Sequence, residues 1–133
     1  LYMAMTIVKI KDNRLAVSSA GMPSTLIYRA ASEEVEEVFI KAMPLGSVSN
    51  FAYRQQNLNL AKGDCVLVMS DGFPEMFNDA GEMLGYHKAR TILQENAPLS
   101  AQEIVNRFVK TAENWAGNRP ADDDVTFVVV KMI

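Results

Sequence analysis

A chain of 133 residues, 49% hydrophobic and 22% charged, has the length and composition of one globular domain. Thirteen basic against sixteen acidic side chains leave a net charge of −3, which argues against a nucleic-acid partner, since counterion release needs a basic face. No run of ~18 apolar residues occurs, so no membrane contact is expected from this segment.

In chain order, residues 2–11 read as a strand rich in β-branched and large apolar side chains. Asp12-Asn13-Arg14 is a polar break, and Leu15 to Ser19 then reads as a second strand, so the two predict a hairpin. Ala20-Gly21-Met22-Pro23 is a turn, and Leu26 to Arg29 is a short third strand. Glu33, Glu34, Glu36 and Glu37 surround Val35 and Val38 and read as a solvated acidic face. Met43-Pro44-Leu45-Gly46 is a compact break. Tyr53 to Leu60 is polar and extended, and Lys62-Gly63-Asp64 is expected to close a hairpin into Cys65–Met69.

The run Cys65 to Met69 reads as a strand buried on both faces, and it leads straight into Ser70-Asp71-Gly72-Phe73. Cys65 is a small core residue rather than a reactive thiol. As the single cysteine it cannot form an internal disulfide, so a reducing, cytoplasmic setting is expected. Pro74 to Phe77 allows one helical turn. Asn78 to Glu82 is a polar loop without the ligand spacing of a calcium-binding EF-hand.

Tyr86, Ala89, Ile92 and Leu93 share one face of a helix that Pro98 ends, with His87 off that face. Ser100 with Glu103 forms a capping box that opens a second helix. Its apolar stripe is Ile104, Val105, Phe108, Val109, Ala112, Trp115 and Ala116. Gly117 to Pro120 stops it. Asp122-Asp123-Asp124 then leads into Val125–Met132, a strand apolar on both faces and therefore expected to be central. Strands first, two consecutive helices later and one strand last make the fold class α+β, with a mainly antiparallel sheet and helices on one side.

The acids suggest a chemistry. Asp71 ends one buried strand, and Asp122–Asp124 begin another. If those strands are antiparallel neighbours, the carboxylates converge at one rim, where mutual repulsion favours a cation. Hard, oxygen-binding ions such as Mg²⁺ or Mn²⁺ suit such donors, and no His or Cys cluster offers a zinc site. The plainer readings are that Asp71-Gly72 is a turn and Asp122–Asp124 a solvated loop.

Ser70-Asp71-Gly72, with Asp123-Asp124-Val125-Thr126 far downstream, resembles the C-terminal part of the metal-dependent protein phosphatase 2C family. The match is closer to its bacterial branch, the stage II sporulation protein E-like and sigma-factor-regulating serine phosphatases. Ala20-Gly21-Met22-Pro23 resembles that branch's Ala-Gly-His-Pro turn. Pro44-Leu45-Gly46 matches its Pro-Leu-Gly, and Leu60-Ala61-Lys62-Gly63-Asp64 its Leu-x-x-Gly-Asp. Glu75, Asn78, Gly81 and Gly85 match its polar segment after Asp-Gly.

The resemblance implies part of an α-β-β-α sandwich that hydrolyses phosphoserine or phosphothreonine on proteins. Two Mn²⁺ or Mg²⁺ ions would activate a water, and that water, not a side chain, would be the nucleophile. By motif position Asp71 and Asp123 would be metal ligands. Asp124 would be a further ligand or support one, and Gly72 would let the loop pass close to the site. The implied substrate is a phosphorylated regulatory protein such as an anti-sigma-factor antagonist, with an upstream sensor or regulatory domain that could anchor the protein to a membrane.

Two departures stand out. Met22 replaces the branch's His, and the family's N-terminal acidic motif does not occur in these residues. The chain opens on Leu1 and reads as structured from Tyr2, so residues 1–133 are expected to be one phosphatase domain cut at its N-terminus. Alone it would be inactive and would leave a large apolar patch on its strand faces. The alternatives are a catalytically inactive phosphoprotein-binding module and a generic Mg²⁺- or Ca²⁺-binding domain.

Overall fold

Two apolar periodicities, one of two residues and one of 3.6, meet in the structure, a computed structural model that describes every residue from Leu1 to Ile133. The elements are β1 (Met5–Lys11), β2 (Arg14–Ala20), β3 (Thr25–Arg29), β4 (Glu34–Val38), β5 (Gln55–Asn59), β6 (Cys65–Met69), α1 (Tyr86–Asn96), α2 (Ala101–Ala116) and β7 (Phe127–Lys131). They form two antiparallel sheets, β1-β2-β5 and β4-β3-β6-β7, with both helices on the outer side of the second. The first hairpin is as expected: Asp12 and Asn13 both take positive φ, the geometry that matches strand twist in a two-residue turn.

The layering explains the apolar run of β6. Cys65, Leu67 and Met69 face the helices, among Leu93, Ile104 and Phe108. Val66 and Val68 face the other sheet, among Leu15, Val17 and Ile27. The acidic segment is itself a strand: β4 buries Val35 toward the helices and Val38 between the sheets, while its glutamates stay exposed. Charge on such an edge discourages pairing with another chain.

Three expectations need correction. The segment Lys62-Gly63-Asp64 is not a hairpin turn. The β5 strand pairs with β2, and β6 pairs with β3 and β7, so this segment carries the chain from one sheet to the other. The last strand is not central, since β7 pairs only with β6 and ends its sheet. It is apolar on both faces because Phe127 and Val129 pack toward the helices and Val130 toward the second sheet. Burial by layers, not by lateral neighbours, fixed its composition. The outer face of β1-β2-β5 also departs from an apolar patch, for it carries Lys9, Lys11, Arg14, Gln55, Asn57 and Asn59.

The crossover is fastened by Asp64. Its buried carboxylate accepts from the N–H groups of Ala30 and Ala61, both at 2.9 Å, and from Arg29 Nη1 at 3.0 Å. Arg29 also donates to the Asn59 carbonyl at 2.6 Å and to Glu36 at 2.7 Å, so one guanidinium spans both sheets. Burial alone would raise the Asp64 pKa, but the two N–H donors and Arg29 together hold it below its ordinary value. That stabilisation is present above the ordinary aspartate value of 3.8 and is lost as pH falls through the lower folded one. Asp64→Ala should cost about 3 kcal/mol at neutral pH in a denaturant titration. Asp64→Asn should flatten the acid limb of the stability curve, and an unchanged acid limb would refute this account.

The second helix begins as its sequence predicts. Ser100 Oγ accepts from Glu103 N at 3.2 Å, and Glu103 accepts in return from Ser100 N at 3.0 Å. Lys131 Nζ donates to the carbonyls of Ala97 and Leu99, which satisfies the end of α1 and ties β7 to the α1–α2 junction.

Candidate functional site

The rim is built by the β6–β7 pairing. Met69 lies opposite Phe127, so the residues following β6 run beside those preceding β7. Ser70 N donates to the Thr126 carbonyl at 3.1 Å. Ser70 Oγ extends the ladder by donating to the Asp124 carbonyl and accepting from Thr126 N, both at 3.0 Å. Gly72 then passes against the Asp124 carbonyl so closely that a Cβ there would overlap the oxygen. Asp71 and Asp122–Asp124 therefore stand at one edge of one sheet, as the sequence predicts.

Below the rim, Phe73 is fully buried and packs edge-on against Phe108 and Phe127, with centroids 5.3 and 5.0 Å away. The turn above it is closed by Glu75 N donating to the Asp71 carbonyl at 3.0 Å, and Trp115 Nε1 anchors it through the Met76 carbonyl at 3.2 Å. One more contact joins two separate sequence motifs. Gly21, at positive φ, lies against Pro44, where a Cβ would come within 2.6 Å of the proline ring. The Ala-Gly-Met-Pro turn and the Pro-Leu-Gly break thus form one surface beside the rim.

Asp71 lines one cavity, with Met22, Glu37, Glu75 and Tyr86 around it. Asp122 and Asp123 line a second, together with Gly72. Glu75 borders both. Tyr86 Oη donates to Glu75 Oε1 at 2.9 Å. Burial first, then that bond and the charges of Glu75 and Asp71, push the Tyr86 phenol up to about 12, so it remains a donor at neutral pH. Asp123 Oδ1 accepts from Asp124 N at 2.7 Å, which shapes its own loop, and Asp122 meets Arg119 at 3.4 Å.

No three His, Cys, Asp or Glu side chains converge closely enough to enclose a metal ion. The donor chemistry still fits Mg²⁺ or Mn²⁺, which bind through one or two carboxylates and keep several waters. The rim offers carboxylates of that kind in Asp71 and Asp122–Asp124. His87 is exposed on α1. Cys65 lies at the far end of β6, where burial pushes its thiol up to about 11 despite the nearby Lys131 charge. Sequence reasoning missed three contributors: the Ser70 bridge, the Phe73 pin, and the position of Glu75 between the two cavities. The serine directly before Asp-Gly and the phenylalanine directly after it were the available clues.

Comparisons with known proteins agree on one family. The family model described as Stage II sporulation protein E (SpoIIE) matches residues 2–133. Phosphoserine phosphatase RsbU of Bacillus subtilis (strain 168) is 24% identical over 119 residues, covering 90% of this chain and 35% of RsbU. The SiaA-PP2C domain of Pseudomonas aeruginosa superposes with a TM-score of 0.79 at 24% identity, over 91% of this chain and 47% of that one. A structure of the PP2C phosphatase domain with a fragment of the regulatory domain of SpoIIE from Bacillus subtilis gives 0.75 at 21% identity, over 97% and 37%. The chain thus spans about a third of the curated relative it matches. No helix is long and apolar enough to cross a membrane.

Proposed function

The chain belongs to the stage II sporulation protein E family of 2C-type phosphatase domains, and from that membership we propose that it supplies the C-terminal part of a catalytic domain that hydrolyses phosphoserine or phosphothreonine on a regulatory protein. The observation that carries this reading is the β6–β7 pairing, which brings Asp71 and Asp123 to one rim. Asp71 and Asp123 would hold Mn²⁺ or Mg²⁺, with Asp124 in support. When bound, such ions supply Lewis-acid activation of water and neutralise charge on the phosphoryl oxygens.

The chain's own residues keep that rim in place. Ser70 is a bridge rather than a nucleophile, because its proton is committed to the Asp124 carbonyl and a lone pair to Thr126 N–H. Gly72 allows the two strand ends to touch. Tyr86 fixes one Glu75 oxygen by its hydrogen bond. The substrate on this reading is a phosphorylated regulator such as an anti-sigma-factor antagonist. An upstream sensor or regulatory domain and a cytoplasmic setting complete the proposal.

The incomplete ligand set favours a second reading, an inactive module that binds phosphoproteins. Phosphate release from a phosphoserine peptide, with Mn²⁺ and with EDTA, separates the two. It should be measured for this chain and for a longer protein carrying it. Mn²⁺-dependent release by the longer protein and none by the 133 residues is expected. Peptide binding without release in both would establish the second reading.

A further inference from the structure

The cavity at Asp71 continues along α1. It shares Ser24, Glu37 and Tyr86 with a neighbouring cavity of about 410 Å³ between α1 and the β3–β4 side of the sheet. Arg90 and His87 line that second chamber. Arg90 is half-buried, yet its guanidinium has no ion pair and no hydrogen bond, the molecule's ion pairs being made by Arg29 and Arg119. Glu37 borders the same chamber beyond ion-pair distance. An unpaired guanidinium held in a recess presents a fork of donors suited to a carboxylate.

We propose that this groove binds the polypeptide flanking the phosphorylated residue of the substrate, with Arg90 reading an acidic side chain on that segment. The inference rests on the phosphatase reading of the rim. The charges along the groove carry it: Asp71 and Glu75 stand at one end, Glu37 lines both chambers, and Arg90 stands at the other end. A segment whose carboxylate faces Arg90 matches the basic end, and its phosphorylated residue fits the other end when a cation offsets the rim carboxylates.

Helix geometry gives the spacing. Tyr86, bonded to Glu75 beside Asp71, and Arg90 are four residues apart on one face of α1, roughly 6 Å along its axis. An extended peptide advances ~3.3 Å per residue, so the second or third residue from the phosphorylated one comes opposite Arg90.

The test uses phosphoserine peptides with Glu, or Gln in its place, two or three residues to either side. Binding is followed in Mg²⁺ by ¹⁵N chemical-shift titration of the whole chain and of its Arg90→Gln and Glu37→Gln variants. The Glu peptide should shift the Arg90 Nε–H resonance and bind about tenfold more tightly than the Gln peptide. Arg90→Gln should remove that preference without weakening the Gln peptide, and Glu37→Gln should strengthen it. Phosphopeptides that shift Asp71 and Gly72 with no Glu preference would overturn the groove assignment and leave the phosphatase reading standing. Arg90→Gln weakening both peptides equally would assign Arg90 to the phosphoryl group and overturn it too. Phosphopeptides that move neither the rim nor Arg90 would overturn the groove assignment, while the phosphatase reading is decided separately by phosphate release from the longer protein.

Discussion

In a longer protein that carries this chain, Asp71→Asn should reduce Mn²⁺-dependent phosphate release by at least about a hundredfold, while leaving the fold of the 133 residues intact in EDTA. The substitution keeps size and shape and removes one negative charge from a rim that also carries Asp122, Asp123, Asp124 and Glu75. Without a cation that charge serves no folding purpose, because no ion pair uses Asp71. The thermal midpoint in EDTA should therefore stay level or rise, since repulsion at the rim falls. The stabilisation that Mn²⁺ confers on the wild type should disappear. A variant that melts early in EDTA would give Asp71 a structural role instead, and undiminished turnover would remove it from the metal shell.

Gly72→Ala acts by the opposite route. The added methyl meets the Asp124 carbonyl oxygen, a backbone atom that cannot swing aside. Nearby, that carbonyl is held by Ser70 Oγ, and Phe73 cannot retreat because it is fully buried. The strand ends must separate, at a cost of about 3 kcal/mol or more. Denaturant titration should show this loss with or without metal, and metal affinity should fall with it because Asp71 and Asp123 move apart. Wild-type stability in Gly72→Ala would mean that the contact is looser than described.

The rim was legible because each of its strands is an apolar run with an acid at one end. Antiparallel pairing of two such strands leaves few other places for Asp71 and Asp123 to go. The partners of β5 were not legible, because a strand, a glycine turn and a strand look the same in a hairpin and in a crossover between sheets. What distinguishes them is Asp64, whose buried bonds reach Ala30 and Arg29 far back in the chain. The position of β7 was misread for a related reason: composition reports which faces are covered, not which edges are paired. The β4 strand was hidden by its glutamates, although Val35 and Val38, three apart, fit opposite faces of a strand. Arg90 had no sequence signature, since only the fold shows it to be without a partner.

The three phenyl rings beneath the rim belong to three separate elements. Phe73 follows the Asp71 strand, Phe127 opens the strand after Asp123, and Phe108 projects from α2, with every pair of centroids between 5.0 and 5.3 Å. In an interior packed this densely, displacement of one ring is passed to the other two. Through these rings α2 packs directly beneath the two strand ends that carry Asp71 and Asp123. The helix is thereby part of the floor on which the strand ends bearing Asp71 and Asp123 rest.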